Sequence, residues 1–145
     1  MQVREVQTAT PEVLEAIQRL LPQLSASAAL PDMQALEALV GGESSRLLIV
    51  REPDELGPIV AMGTLGTYRT PTGVRAVIED VVVETAFRGR GLRQDLLRRL
   101  LDLARDQGAL GVALTSNPRR VAANRLYLRM GFRRRRTNSY FYSLV

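Results

Sequence analysis

The segment Val77–Leu101, "VIEDVVVETAFRGRGLRQDLLRRLL", constrains the fold more than any other part of the chain. A β-branched run gives way to Arg88-Gly89-Arg90-Gly91, and a Leu- and Arg-rich stretch of helical period then begins. The start of a helix leaves backbone N–H groups unpaired and carries partial positive charge. Glycines just ahead of it let a ligand come close to the backbone, and Arg88, Arg90 and Arg93 add fork-shaped donors suited to phosphate oxygens. The segment therefore reads either as a phosphate seat or as a tight strand-to-helix turn whose arginines are simply solvated. Two familiar phosphate loops do not fit. A Walker A loop would end in Gly-Lys-Ser/Thr, and a dinucleotide fingerprint would carry a third glycine and a later acid.

The rest of the chain supplies the frame for that handover. "VREVQ" alternates like a short strand. Thr10-Pro11-Glu12 has the form of N-cap, N1 proline and first-turn acid, ahead of apolar residues at helical spacing up to Leu24. Pro31-Asp32 opens a second helix that Gly41-Gly42 stops. Strands are expected at Arg46–Glu52, Ile59–Arg69 and Val74–Val83, with a hairpin turn at Thr70–Gly73. A helix follows from about Leu92 to Gln107, with Gly108 at its C′ position. "ALGVALTS" then predicts a strand, Arg119–Met130 a helix closed by Gly131, and "FRRRR" and "SYFYSL" two further strands. The order is β-α-α-β-β-β-α-β-α-β-β, a single mixed α/β (α+β) domain over residues 1–145.

Composition narrows the chemistry. The 145 residues include no cysteine and no histidine, which removes disulfides, a cysteine nucleophile, a Ser-His-Asp triad and the usual zinc sites, so no metal is expected. No apolar run approaches the ~20 residues of a membrane span. The N-terminal stretch carries acids and lacks a signal-peptide core, so a cytoplasmic location without membrane contact is expected. Charge is uneven: residues 1–84 hold six Arg against twelve Asp/Glu, and residues 85–145 hold fourteen Arg against three Asp. The basic half suits a phosphorylated cofactor, a nucleic acid or an acidic protein.

Arg88-Gly89-Arg90-Gly91-Leu92-Arg93, directly after "IEDVVV", resembles the core motif of the GNAT superfamily of acyl-CoA-dependent N-acyltransferases, Q/R-x-x-G-x-G/A. Arg88 takes its first place and Gly91 its fourth. Arg93 departs from the pattern, since the sixth place is usually Gly or Ala. "RRVAANRLYLRMGF" is similar to a second family pattern, A-x-x-x-Y-x-x-x-G-F, through Ala123, Tyr127, Gly131 and Phe132. The two N-terminal helices agree with the family in topology only.

The resemblance implies a GNAT fold: a central, mostly antiparallel mixed sheet, split in the middle, with helices on both faces. It implies acetyl-CoA as co-substrate, its pyrophosphate gripped by Arg88, Gly89, Arg90, Gly91, Leu92 and Arg93. Main-chain groups of Val81, Val82 and Val83 would pair with the pantetheine, and one N–H would polarise the thioester carbonyl. Tyr127, otherwise an amphipathic core tyrosine, becomes the general acid for the leaving thiolate, because a phenol still holds its proton at neutral pH. Asn124, one turn earlier, is either a cofactor contact or a solvent-facing helix residue. In a period-2 strand Val77, Glu79, Val81 and Val83 share a face, and Glu79 is the candidate base, or else only an ammonium contact. The implied reaction is direct attack of a primary amine, on a small molecule or a peptide, with no covalent intermediate. A non-catalytic acyl-CoA-binding module is the alternative. A basic nucleic-acid-binding domain is disfavoured because strand alternation would divide the arginines of "FRRRR" between two faces. Oligomeric state stays open, a homodimer included.

Overall fold

The computed structural model describes residues 2–145, apart from the Gln2 side chain. Its elements are β1 (Gln2–Glu5), α1 (Pro11–Leu24), α2 (Met33–Gly41), β2 (Ser45–Arg51), β3 (Ile59–Thr70), β4 (Gly73–Val83), a 3-10 turn (Thr85–Phe87), α3 (Leu92–Asp106), β5 (Val112–Ala113) and α4 (Val121–Arg129). They fall into two compact units, one ending at Thr115 and the other spanning Ser116–Val145.

In the first unit the strands form one sheet in the order β1-β2-β3-β4-β5. The first three pairings are antiparallel and β4–β5 is parallel, which makes the sheet mixed and mostly antiparallel as expected. Alternation along β2 assigns its faces. Leu47 and Ile49 join α1, α2, Ile59, Met62 and Val82 in one core. On the opposite face a Cβ at Gly63 would lie 3.1 Å from Leu100 and 3.4 Å from Leu96, both on α3. Helices therefore cover both faces. Local chemistry sets their ends: the Thr10 hydroxyl accepts from Val13 N–H at 3.3 Å to start α1, and the Asp32 carboxylate accepts from Ala35 N–H at 2.8 Å to start α2.

The split lies between β4 and β5. Pairing there is confined to Ala76 with Val112 and Val77 with Ala113. Just beyond, the β3–β4 register shifts, with Thr64 opposite Glu79 but Met62 opposite Val82. One residue of β3, Gly63, thus faces two on β4, Asp80 and Val81, a bulge that holds Asp80 at φ +52°. A bulge bends its strand and breaks its alternation. Gly63 would meet Val81 at 3.3 Å on the α3 side, while Val82 belongs to the α1 core. Ile78, paired with Leu65 two residues from Gly63, lies on the α3 side as well. Val81 and Val83 therefore lie opposite Glu79, not beside it as strict period 2 suggested.

In the second unit only α4 is regular. Three expected strands differ toward the C-terminus: "ALGVALTS" is reduced to the two residues of β5 in the first unit, and residues 132–145 carry no strand. The arginines of "FRRRR" are consequently not divided between two sheet faces, and all four are exposed. No helix among the described residues is long and apolar enough to cross a membrane.

Candidate active site

The open flank of β4 is the first component. Glu84 N–H donates to Val60 O at 2.8 Å, so Glu84 points its main chain toward β3. Antiparallel alternation then turns Val82 toward β3 and turns Val83, and by the same count Val81, to the other side. On that side β5 has already ended. Of the three valines expected to offer main-chain groups, Val81 and Val83 face the gap and Val82 is committed to the sheet.

The chain leaves β4 through the 3-10 turn and reaches α3 across Arg88–Gly91. Arg88 folds back, its Nε donating to Val83 O at 3.0 Å, which fixes the turn against the end of the strand. Arg90 lies with its guanidinium carbon 4.8 Å from the centroid of the Phe87 ring. That contact pre-orients the cation. Gly89 and Gly91 hold φ +81° and +79°, conformations an L side chain rarely adopts, and a Cβ on either would meet nothing within 4 Å. The backbone there is open to an incoming group. Gly91 is also the N-cap of α3 and supplies no capping side chain. The first intrahelical bond runs from Asp95 N–H to Gly91 O at 3.1 Å, leaving the first-turn N–H groups ahead of it. Donors, an uncapped 15-residue helix and an uncovered backbone converge on a site that suits a pyrophosphate.

The remaining members of the motif differ in placement. Leu92 is 3% exposed, its side chain in the core, so only its main chain can meet a ligand. Arg93 is half-buried in the first turn of α3. Glu79 is exposed opposite Thr64, and Asp80 beside it is exposed on the bulge. Sequence reading treated Asp80 only as a residue of the opposite face. Its signal was two consecutive acids inside a Val/Ile run, where Asp is among the residues that tolerate a left-handed backbone. Phe87 was likewise passed over, as were two residues of α1 that hold the turn from behind. Arg19 Nη1 pairs with Glu84 at 2.6 Å and its Nη2 donates to Ile59 O at 2.8 Å. Gln23 Oε1 accepts from Thr85 N–H at 2.9 Å.

Tyr127 and Asn124 belong to the second unit. Tyr127 is 8% exposed, with its ring edge-on to Phe132 at 5.8 Å between centroids. Asn124 Nδ2 donates to Asn117 O at 3.1 Å, a bond that ties α4 to the loop before it. Ala123 is buried and Gly131, at φ +100°, ends the helix as its place in the second pattern suggested.

The family model described as the acetyltransferase (GNAT) family matches residues 12–132. N-acetyltransferase 8B of Rattus norvegicus is 34% identical over 85 residues, covering 58% of this chain but 37% of the rat protein. Glucosamine 6-phosphate N-acetyltransferase 1 of Oryza sativa subsp. japonica is 33% identical over 119 residues, covering 78% of this chain and 70% of that protein. Among solved structures, glucosamine-6-phosphate N-acetyltransferase from Arabidopsis thaliana superimposes with a TM-score of 0.79 at 21% identity, over 98% of this chain and 99% of that one. That last likeness is one of fold.

Proposed function

The chain belongs to the acetyltransferase (GNAT) family, and from that premise we propose that it transfers an acetyl group from acetyl-CoA to a primary amine by direct attack. The observation that carries the proposal is the turn from Val83 to α3, where Arg88, Arg90 and two left-handed glycines surround an uncapped helix start. Acetyl-CoA supplies a thioester and a pyrophosphate, and the residues present fit the latter. Arg90, the Gly89–Gly91 backbone and the first-turn N–H groups of α3 would hold the pyrophosphate, with Arg88 bracing the turn through Val83 O. Main-chain groups of Val81 and Val83 along the open flank of β4 would orient the pantetheine arm, and an N–H there would stabilise the oxyanion.

Two proton movements complete the reaction. The amine must lose a proton, and exposed Glu79 is the proposed acceptor, directly or through water. The departing thiolate must gain one, and Tyr127 is the proposed donor; its support is the family pattern around it together with its burial. Because two rice relatives are named glucosamine 6-phosphate N-acetyltransferases, an amino-sugar phosphate heads the acceptor candidates. The acidic balance of residues 1–84 would instead suit a cationic amine. A cytoplasmic setting is proposed with the same reading, since that is where acetyl-CoA would meet such acceptors.

The test is thiol release from acetyl-CoA across a panel holding glucosamine 6-phosphate, polyamines, amino acids and peptides. Tyr127→Phe keeps the ring and its contact with Phe132 but lacks the proton. It should slow turnover by about 10²-fold or more and leave acetyl-CoA affinity nearly unchanged. Parental turnover by that variant would make Tyr127 a core residue and return the proton to solvent. Binding of acetyl-CoA with no acceptor in the panel would favour the non-catalytic module.

A further inference from the structure

The 3-10 turn between β4 and α3 is three residues long, Thr85–Phe87, and its N-cap residue Glu84 makes no capping bond with its side chain. A single turn of this kind fixes several dihedrals for few hydrogen bonds and does not hold its shape alone. Yet the ring of Phe87, its last residue, lies under the Arg90 guanidinium. The aim of that cation therefore depends on the turn. Help comes from α1, where Arg19 and Gln23 stand four residues apart and share one face. Arg19 spans the end of β4 and the start of β3, pairing with Glu84 at 2.6 Å and donating to Ile59 O at 2.8 Å. Gln23 Oε1 accepts from the Thr85 N–H at 2.9 Å and from the Thr85 hydroxyl at 3.1 Å. Its Nε2 donates back to Arg19 O at 3.4 Å, which turns the amide so that its oxygen faces Thr85. The cap that the turn lacks is supplied by a residue 62 positions earlier in the chain.

We infer that Gln23 is a positioning residue for acetyl transfer: by capping Thr85–Phe87 from α1, it holds the turn in the shape that aims Arg90 and the Gly89–Gly91 backbone at the pyrophosphate. The inference rests on the reading of that turn as the coenzyme A seat. Gln23 carries no charge, so its effect on an anionic ligand runs through preorganisation. A ligand that needs one turn conformation loses affinity in proportion to the time the turn spends in others. The fold itself does not need the Gln23 amide. Val13, Ala16, Ile17, Leu20 and Leu21 already fasten α1 into the core.

Calorimetric titration of the full chain with coenzyme A tests the inference through Gln23→Met, which keeps length and helix propensity but lacks the acceptor. Affinity should fall about 3–10-fold, while Tm of the ligand-free protein stays close to the parent. In an Arg90→Ala background the same change should cost under ~2-fold, because the cation that the turn aims is gone. In the parent, hydrogen exchange at the Thr85 amide should slow when coenzyme A is added, since a ligand that needs the capped turn also stabilises it. Three results would overturn the inference and leave the acetyl-transfer reading standing: parental affinity in Gln23→Met, an undiminished loss in the Arg90→Ala background, or a fall in Tm without a fall in affinity. Thr85 exchange indifferent to bound coenzyme A would do the same, whether or not the variants fold. A parent that binds no coenzyme A at about 1 mM would remove both.

Discussion

Arg88 and Arg90 stand two residues apart, yet different partners hold their side chains. Arg88 gives its Nε to Val83 O at 3.0 Å, a bond within the protein that closes the exit from β4. Arg90 lies against the Phe87 ring and is exposed. Removing either should weaken acetyl-CoA binding about 10–100-fold, the scale of a charge-assisted bond of ~1.5–3 kcal/mol. Thermal melting should separate them. Arg88→Ala leaves a carbonyl at the strand end without its side-chain donor and should lower Tm, whereas Arg90→Ala should leave Tm close to the parent. Equal Tm losses would mean that both arginines are structural. Sequence pattern alone put the two on the same footing, because a motif records residue type and not which donor is already used.

At the scale of elements, α1 holds the sheet through arginines at both ends. Arg51, the last residue of β2, meets Glu12 of α1 through two bonds of 2.6 and 2.9 Å and also donates to Gly57 O at 2.9 Å. The hydrogen bond from Arg51, aided by its charge and opposed by partial desolvation, holds the Glu12 carboxyl below its ordinary value. A carboxyl lowered in the folded state favours folding at pH values above its unfolded pKa of ~4.3, and that contribution fades as pH falls through the lowered folded value. Glu12→Gln should therefore be less stable than the parent at pH 7, by well under ~1 kcal/mol because Glu12 is largely exposed. The gap should close as pH falls through the lowered folded value. A gap that persists at low pH would point to lost packing at the start of α1. The bulge in β4 belongs to the same scale. Period-2 reading placed Glu79 beside Val81, and one extra residue at Asp80 reversed that, since a single insertion moves every later side chain to the other face. The helices were easier to read than this strand: Thr10, Asp32 and Gly108 act where local chemistry alone put a cap or a stop.

For the molecule as a whole, the sheet order and the covering of its two faces follow from patterns visible in the chain, because burial imposes its period wherever a core exists. The last fourteen residues departed from expectation for the complementary reason. "FRRRR" and "SYFYSL" have strand-like composition, but a strand is made by its partner, and within one chain these residues pair with none among the described residues. β5 shortened similarly: its neighbour bends away at the bulge, leaving two residues in register. The proposed site was legible as a motif, while the gap beside Val81 and Val83 and the ties from Arg19 and Gln23 needed three dimensions. The central claim is that the Val83–Arg93 turn is a seat for the pyrophosphate of coenzyme A. Calorimetric titration of the full chain with coenzyme A addresses it directly. One site per chain is expected, with affinity that weakens as salt is raised, since the arginines and the helix start act through charge. Absence of binding at about 1 mM coenzyme A, an affinity threshold near −4.1 kcal/mol, would contradict the claim.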